Sequence, residues 1–102
     1  MKKPDKLVRD RIPEIIEADG RKTVTHIADD DEYFARLKDK LVEEVDEFLE
    51  NPIEKELADI LEVVYAIRDF KKIDASHLEK VRLEKNEKNG GFAKRIVLDK
   101  TE

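Results

Sequence analysis

The sequence predicts an all-α fold: a helical hairpin core that forms a four-helix-type bundle on oligomerisation, with one or two short peripheral strands. Three observations predict it. Apolar residues recur at helical spacing in two successive segments, through Phe34, Leu37, Leu41, Val45 and Phe48, then through Ile53, Leu57, Ile60, Val64 and Ile67. Asn51-Pro52 lies between the segments with the chemistry of a tight reversal. Val42 and Leu49 flank the first stripe, and Leu61 and Tyr65 the second, so each apolar arc is wider than the ~100° of a helix with one buried face. Arcs that wide call for helix packing against a second copy, and a homodimer or homotetramer is expected.

Taken in order, Lys6 to Val8 is a short apolar-basic lead-in. Asp10 is placed to cap a helix through Ile12, Ile15 and Ile16, with Pro13 tolerated in its first turn and Gly20 ending it. Thr23-Val24-Thr25-His26-Ile27 is rich in β-branched residues and reads as a short strand. Asp29 and Glu32 have the spacing of a capping box before a helix from about Asp31 to Glu50. Asn51 then caps the next helix, with Pro52 in its first position, Glu54 completing a second box, and an end near Phe70. Asp74 caps a last helix with Leu78 and Val81 inward, closed by Asn89-Gly90-Gly91. Arg95 to Leu98 is a candidate terminal strand. With 102 residues, no internal repeat and no dividing linker, residues 1–102 read as a single domain.

The charge balance narrows the function. A net charge of −5 argues against a nucleic-acid binder, which would present a basic surface. The absence of cysteine removes disulfides and thiolate metal sites. No apolar run nears the ~20 residues needed to cross a bilayer, so no membrane partner and a cytoplasmic address are expected. His26 and His77 are far apart in sequence and assemble no nucleophilic triad.

Chemistry concentrates in two acidic frames, Glu44-x-x-Glu47 and Glu56-x-x-Asp59. At 100° per residue Glu44 and Glu47 fall on one flank of the first apolar stripe, Glu56 lies near the second stripe and Asp59 at its edge. Glu43, Asp46 and Glu50 point more toward solvent. Glu47 and Glu56 stand at matched depth about the turn, as do Glu44 and Asp59, so folding the hairpin brings all four to one level. Two carboxylates about 5 Å apart at an effective dielectric of roughly 20 repel by about 3 kcal/mol, so four together require cations. Oxygen ligands without His or Cys suit Mg²⁺ or Mn²⁺. Mg²⁺ is commonly shared between carboxylates and substrate phosphates, which points to a phosphate substrate. Lys85 and Lys88 continue the Leu78 and Val81 stripe and are candidates to bind those phosphates, as are Arg9 and Arg95; lysines near a helix C-terminus also suit its dipole.

The chain resembles the all-α nucleoside triphosphate pyrophosphohydrolases, the superfamily of MazG-like and phosphoribosyl-ATP pyrophosphohydrolase-like proteins. The resemblance covers nearly the whole chain. Its opening Lys6-Leu7-Val8-Arg9-Asp10-Arg11-Ile12-Pro13 is similar to the start of one small MazG-like branch, and Lys85 through Phe92 with Lys94-Arg95-Ile96 to that branch's closing segment. The two acidic frames match the family's metal-binding pattern, with a spacer of eight residues that fits its small members. The resemblance implies Mg²⁺-dependent cleavage between the α- and β-phosphates of a nucleoside triphosphate, giving monophosphate and pyrophosphate, in an oligomer. Glu44, Glu47, Glu56 and Asp59 would hold the metal, with Glu44 or Glu47 as general base. Phosphoribosyl-ATP hydrolysis and non-catalytic binding of a nucleotide–Mg²⁺ complex are the alternatives.

Overall fold

The computed structural model of the chain describes residues 5–102, and among them secondary structure is entirely helical. The helices are α1 (Ile12–Ala18), α2 (Asp30–Glu50), α3 (Glu54–Phe70) and α4 (Ala75–Asn89). The chain divides into two compact units, Met1–Lys71 and Lys72–Glu102.

In the first unit, α2 and α3 pack on each other as the hairpin expected from the sequence. Asp29 starts α2 as its side chain accepts the Glu32 N–H at 2.9 Å, satisfying a donor with no partner inside the helix. The reversal lies two residues later than the turn chemistry suggested. Asn51 closes α2, donating its N–H to the Glu47 carbonyl, and extended Ile53, not Asn51, precedes α3. The last turn of α2 has already committed the Asn51 backbone. α3 therefore starts at Glu54 with no side-chain cap, and Glu54 and Glu56 favour that end through the helix dipole instead.

The buried stripe is also turned from its expected position. Leu37 is 1 % exposed and Val63 7 %, whereas Leu57 is 50 % exposed. Centring the α3 face on Val63 rotates it by about 80° from the Ile53–Leu57–Ile60–Val64–Ile67 line. Glu56 and Asp59 then share the inward face with Ile60, Val63, Ile67 and Phe70. On α2, Glu44 lies nearly in line with Leu37, two turns apart. The hairpin interior thus changes character along its length. Phe34 stacks on Phe70 with ring centroids 5.4 Å apart and Tyr33 meets the same ring edge-on at 5.5 Å. Leu37 and Val63 fill the middle, and the turn end is acidic.

Ahead of the hairpin, α1 begins after Arg11, not Asp10. Its N-cap makes no side-chain bond, and the Arg9 carbonyl accepts the Ile12 N–H to close the entry turn. Neither strand forms. Residues 23–27 and 95–98 are irregular, with Val24 and Ile27 fully exposed. β-branched composition favours an extended chain, but a strand also needs a neighbour for its N–H and C=O groups, and no ladder exists among the described residues.

The second unit holds α4. Asp74 caps it through the Ser76 N–H, and Gly90 ends it at φ +83°, a left-handed conformation that glycine adopts without a steric penalty. Leu78 is half-buried, but Val81 is exposed, so the inward stripe assigned to this helix does not extend past its first turn.

Candidate metal centre

Glu44 is the one buried charged residue of the chain's described part, 7 % exposed. Its place follows from the register of α2: the buried stripe that takes Leu37 inward takes Glu44 inward two turns later. From α3, Glu56 and Asp59 arrive half-buried on the facing stripe. One carboxylate oxygen each from Glu44, Glu56 and Asp59 lies within 4.8 Å of the others. A second triad, Glu43, Glu44 and Glu47, meets the same criterion along α2 and shares Glu44.

Three of the four expected ligands therefore form one group, and Glu47 joins through Glu44, from an exposed position nearer solvent. Glu43, assigned to solvent by helical spacing alone, is half-buried and belongs to the second triad.

Two oxygens in the cluster, Glu44 Oε2 and Glu56 Oε2, are buried without a hydrogen-bond partner. An unpartnered buried carboxylate oxygen is costly, more so than a neutral group at about 1–3 kcal/mol. Partial compensation comes from three cations. Lys40 Nζ lies 3.3 Å from Glu44 and 3.4 Å from Glu43, Lys6 donates to Glu43 at 2.8 Å, and Arg9 donates to Asp59 at 2.8 Å. Burial pushes the Glu44 carboxyl above its ordinary value, with Lys40 opposing and the neighbouring Glu47 adding to the rise. Glu43 is held below its ordinary value by its hydrogen bond from Lys6, whose own value rises for the same reason. Lys40 was legible as an i, i+4 partner of Glu44; nothing local in the sequence marks Lys6 as reaching Glu43, 37 residues away.

The donor set is all-oxygen and anionic, its charge exceeds that of its cations, and two oxygens await a partner. These features fit a hard divalent ion held by Glu44, Glu56 and Asp59, with Glu43 and Glu47 beside it. A cavity of about 450 Å³ adjoins the cluster. Arg9, Lys40, Glu44 and Asp59 line its wall, with Asp10, Arg11 and Glu62 as further charged residues, and Ile12, Leu37 and Val63 are among its apolar residues. That volume is within the range of small-molecule sites. Of the cations expected to meet phosphate, Arg9 lies on this wall. Lys85, Lys88 and Arg95 belong to the second unit, where all three are exposed.

Among known proteins, the chain is similar to an uncharacterized protein of Mycolicibacterium smegmatis, 61 % identical over 41 residues. The match spans 40 % of this chain and 42 % of that protein's length. No protein family and no solved structure matches the chain.

Proposed function

We propose that the protein is a divalent-ion-dependent nucleoside triphosphate pyrophosphohydrolase of the MazG-like kind, cleaving the α–β phosphoanhydride to give a monophosphate and pyrophosphate. The observation that carries this reading is the buried Glu44, its Oε2 unpartnered and grouped with Glu56 and Asp59 beside a nucleotide-sized cavity. A merely solvated acidic face would have no reason to bury a carboxylate.

Glu44, Glu56 and Asp59 would hold Mg²⁺ or Mn²⁺. When bound, the ion would supply charge neutralisation of phosphate oxygens and a lowered pKa for water. The rest is positioning, which is most of what phosphoryl chemistry asks of a protein. Glu47, exposed and next to Glu44, would accept the proton of an attacking water, with Glu44 the other candidate. Arg9 and Lys40 line the cavity and would neutralise phosphate. Lys85, Lys88 and Arg95 enter the proposal by charge and by the resemblance of the closing segment alone.

The proposed working form is a homodimer or homotetramer. Supporting it is an uncovered apolar face on the hairpin made by Val42, Leu49, Ile53, Leu57, Leu61 and Tyr65, each at least 44 % exposed. Exposed apolar side chains gathered on one hairpin support an interaction surface.

The test is pyrophosphate release from a panel of ordinary and damaged nucleoside triphosphates with Mg²⁺, alongside phosphoribosyl-ATP. Turnover of at least one triphosphate is expected, with Glu44→Gln and Asp59→Asn each lowering it by at least about a hundredfold while circular dichroism stays helical. Binding without turnover would make the protein a nucleotide sensor, and variants as active as the parent would remove the site assignment.

A further inference from the structure

Two of the cations around the acidic cluster pair with carboxylates that a divalent ion would also engage. Lys40 Nζ is 3.3 Å from Glu44, and the Arg9 guanidinium is 2.8 Å from Asp59 Oδ1. Glu44 and Asp59 are two of the three ligands in the hairpin triad. A divalent ion among them would repel both cations at close range, in surroundings where charges interact more strongly than in bulk water. Glu44 also offers an independent sign that the cluster is built for a ligand. Its side chain is 9 % exposed, yet Oε2 has no partner even with Lys40 on Oε1. The lysine therefore leaves the buried acid half-satisfied.

The two cations differ in what they can do once displaced. Lys40 sits on α2, 17 % exposed, and moves only as far as its own side chain allows. Arg9 is 54 % exposed and precedes α1 in the segment that walls the cavity. Released from Asp59, its guanidinium stays tethered at the cavity wall and free to pair with an anion there. A planar guanidinium suits phosphate oxygens, which it can bind through two parallel N–H donors.

We propose that Arg9 and Lys40 are exchangeable counter-ions: they stand in for the divalent ion when it is absent, and its entry transfers Arg9 from Asp59 to the phosphate groups of the ligand. This rests on the metal reading given above and deepens it. Ion and anion binding become coupled, because each favours the state in which the Arg9–Asp59 pair is broken. The pair also offsets part of the cluster's negative charge when no ion is bound.

Titration calorimetry with Mg²⁺ alone, then with inorganic pyrophosphate on the Mg²⁺-saturated protein, tests this in the full chain. Arg9→Gln is the main variant, because the exposed arginine can be lost without opening the core. Lys40→Gln is the second, and Arg21→Gln the control, since Arg21 pairs with Asp19 and belongs neither to the cluster nor to the cavity wall. Arg9→Gln is expected to bind Mg²⁺ about fivefold tighter than the parent, as loss of a competing ion pair predicts, and to bind pyrophosphate more weakly. Lys40→Gln should also tighten Mg²⁺ binding, and Arg21→Gln should change neither affinity. Equal or weaker Mg²⁺ binding by Arg9→Gln, or the same gain from Arg21→Gln, would overturn the exchange while leaving the metal site standing. A parent protein that takes up no Mg²⁺ would overturn both.

Discussion

A buried glutamate with one empty oxygen is an expensive residue to keep, and Glu44 makes that cost measurable. Its carboxyl is raised above the ordinary 4.5 chiefly by burial. An acid whose folded pKa exceeds its unfolded one favours folding below the unfolded value, and that contribution is lost as pH rises through the folded value. At neutral pH the ionised Glu44 therefore weakens the metal-free protein. Glu44→Gln keeps the shape and removes the charge. In metal-free buffer at pH 7 the variant should be more stable by about 1 kcal/mol, or roughly 4 °C in Tm. The advantage should shrink as pH falls and vanish below about 4.5, where the parent residue is itself protonated. Adding Mg²⁺ should raise the Tm of the parent and not of the variant. Thermal melts at several pH values with and without Mg²⁺ check all three outcomes, and a Glu44→Gln protein less stable at pH 7 than the parent would contradict the account.

The hairpin is the element on which the site depends, and its stability is concentrated in few residues. Leu37 and Val63 are the buried apolar side chains among the described residues of the first unit. Leu37→Ala should cost about 3 kcal/mol, near the lower part of the range for buried leucines, because the adjoining cavity lets neighbours relax. Asp29→Ala removes the one side-chain cap of α2 and should cost about 1 kcal/mol. Urea denaturation followed by circular dichroism separates the two, with the midpoint lower for Leu37→Ala and unchanged slope for both. The two-residue displacement of the α3 start has a matching consequence. Glu56 falls in the first turn of α3, where the positive end of the helix favours its negative charge. The acidic end of the hairpin is thus eased by backbone dipole as well as by side-chain cations.

At the scale of the molecule, many large apolar side chains among the described residues stay exposed. Leu57 and Leu61 remain 50 % and 46 % exposed on the helix that also carries the acidic frame. Covering that face is the role proposed for a second copy. Sedimentation should show the parent as a dimer or tetramer, and Leu57→Glu combined with Leu61→Glu should sediment as a monomer that stays helical. A monomeric parent would remove oligomerisation from the proposal. No helix of the described residues is long and apolar enough to cross a membrane, so the face is not explained as a membrane span.

Helical class, the limits of α2 and α4, the Asp29 and Asp74 caps and the two acidic frames were all legible in the amino-acid order, because each depends on periodicity or on groups a few residues apart. The tertiary structure decided which part of each broad apolar arc turns inward. With apolar residues spread over more than one face, local spacing left the rotation open, and packing settled it with Glu44 buried, Glu56 and Asp59 half-buried and Leu57 outside. Packing also set the partners: Lys6 on Glu43 and Arg9 on Asp59 span 37 and 50 residues, separations at which only a folded chain can determine which charges meet.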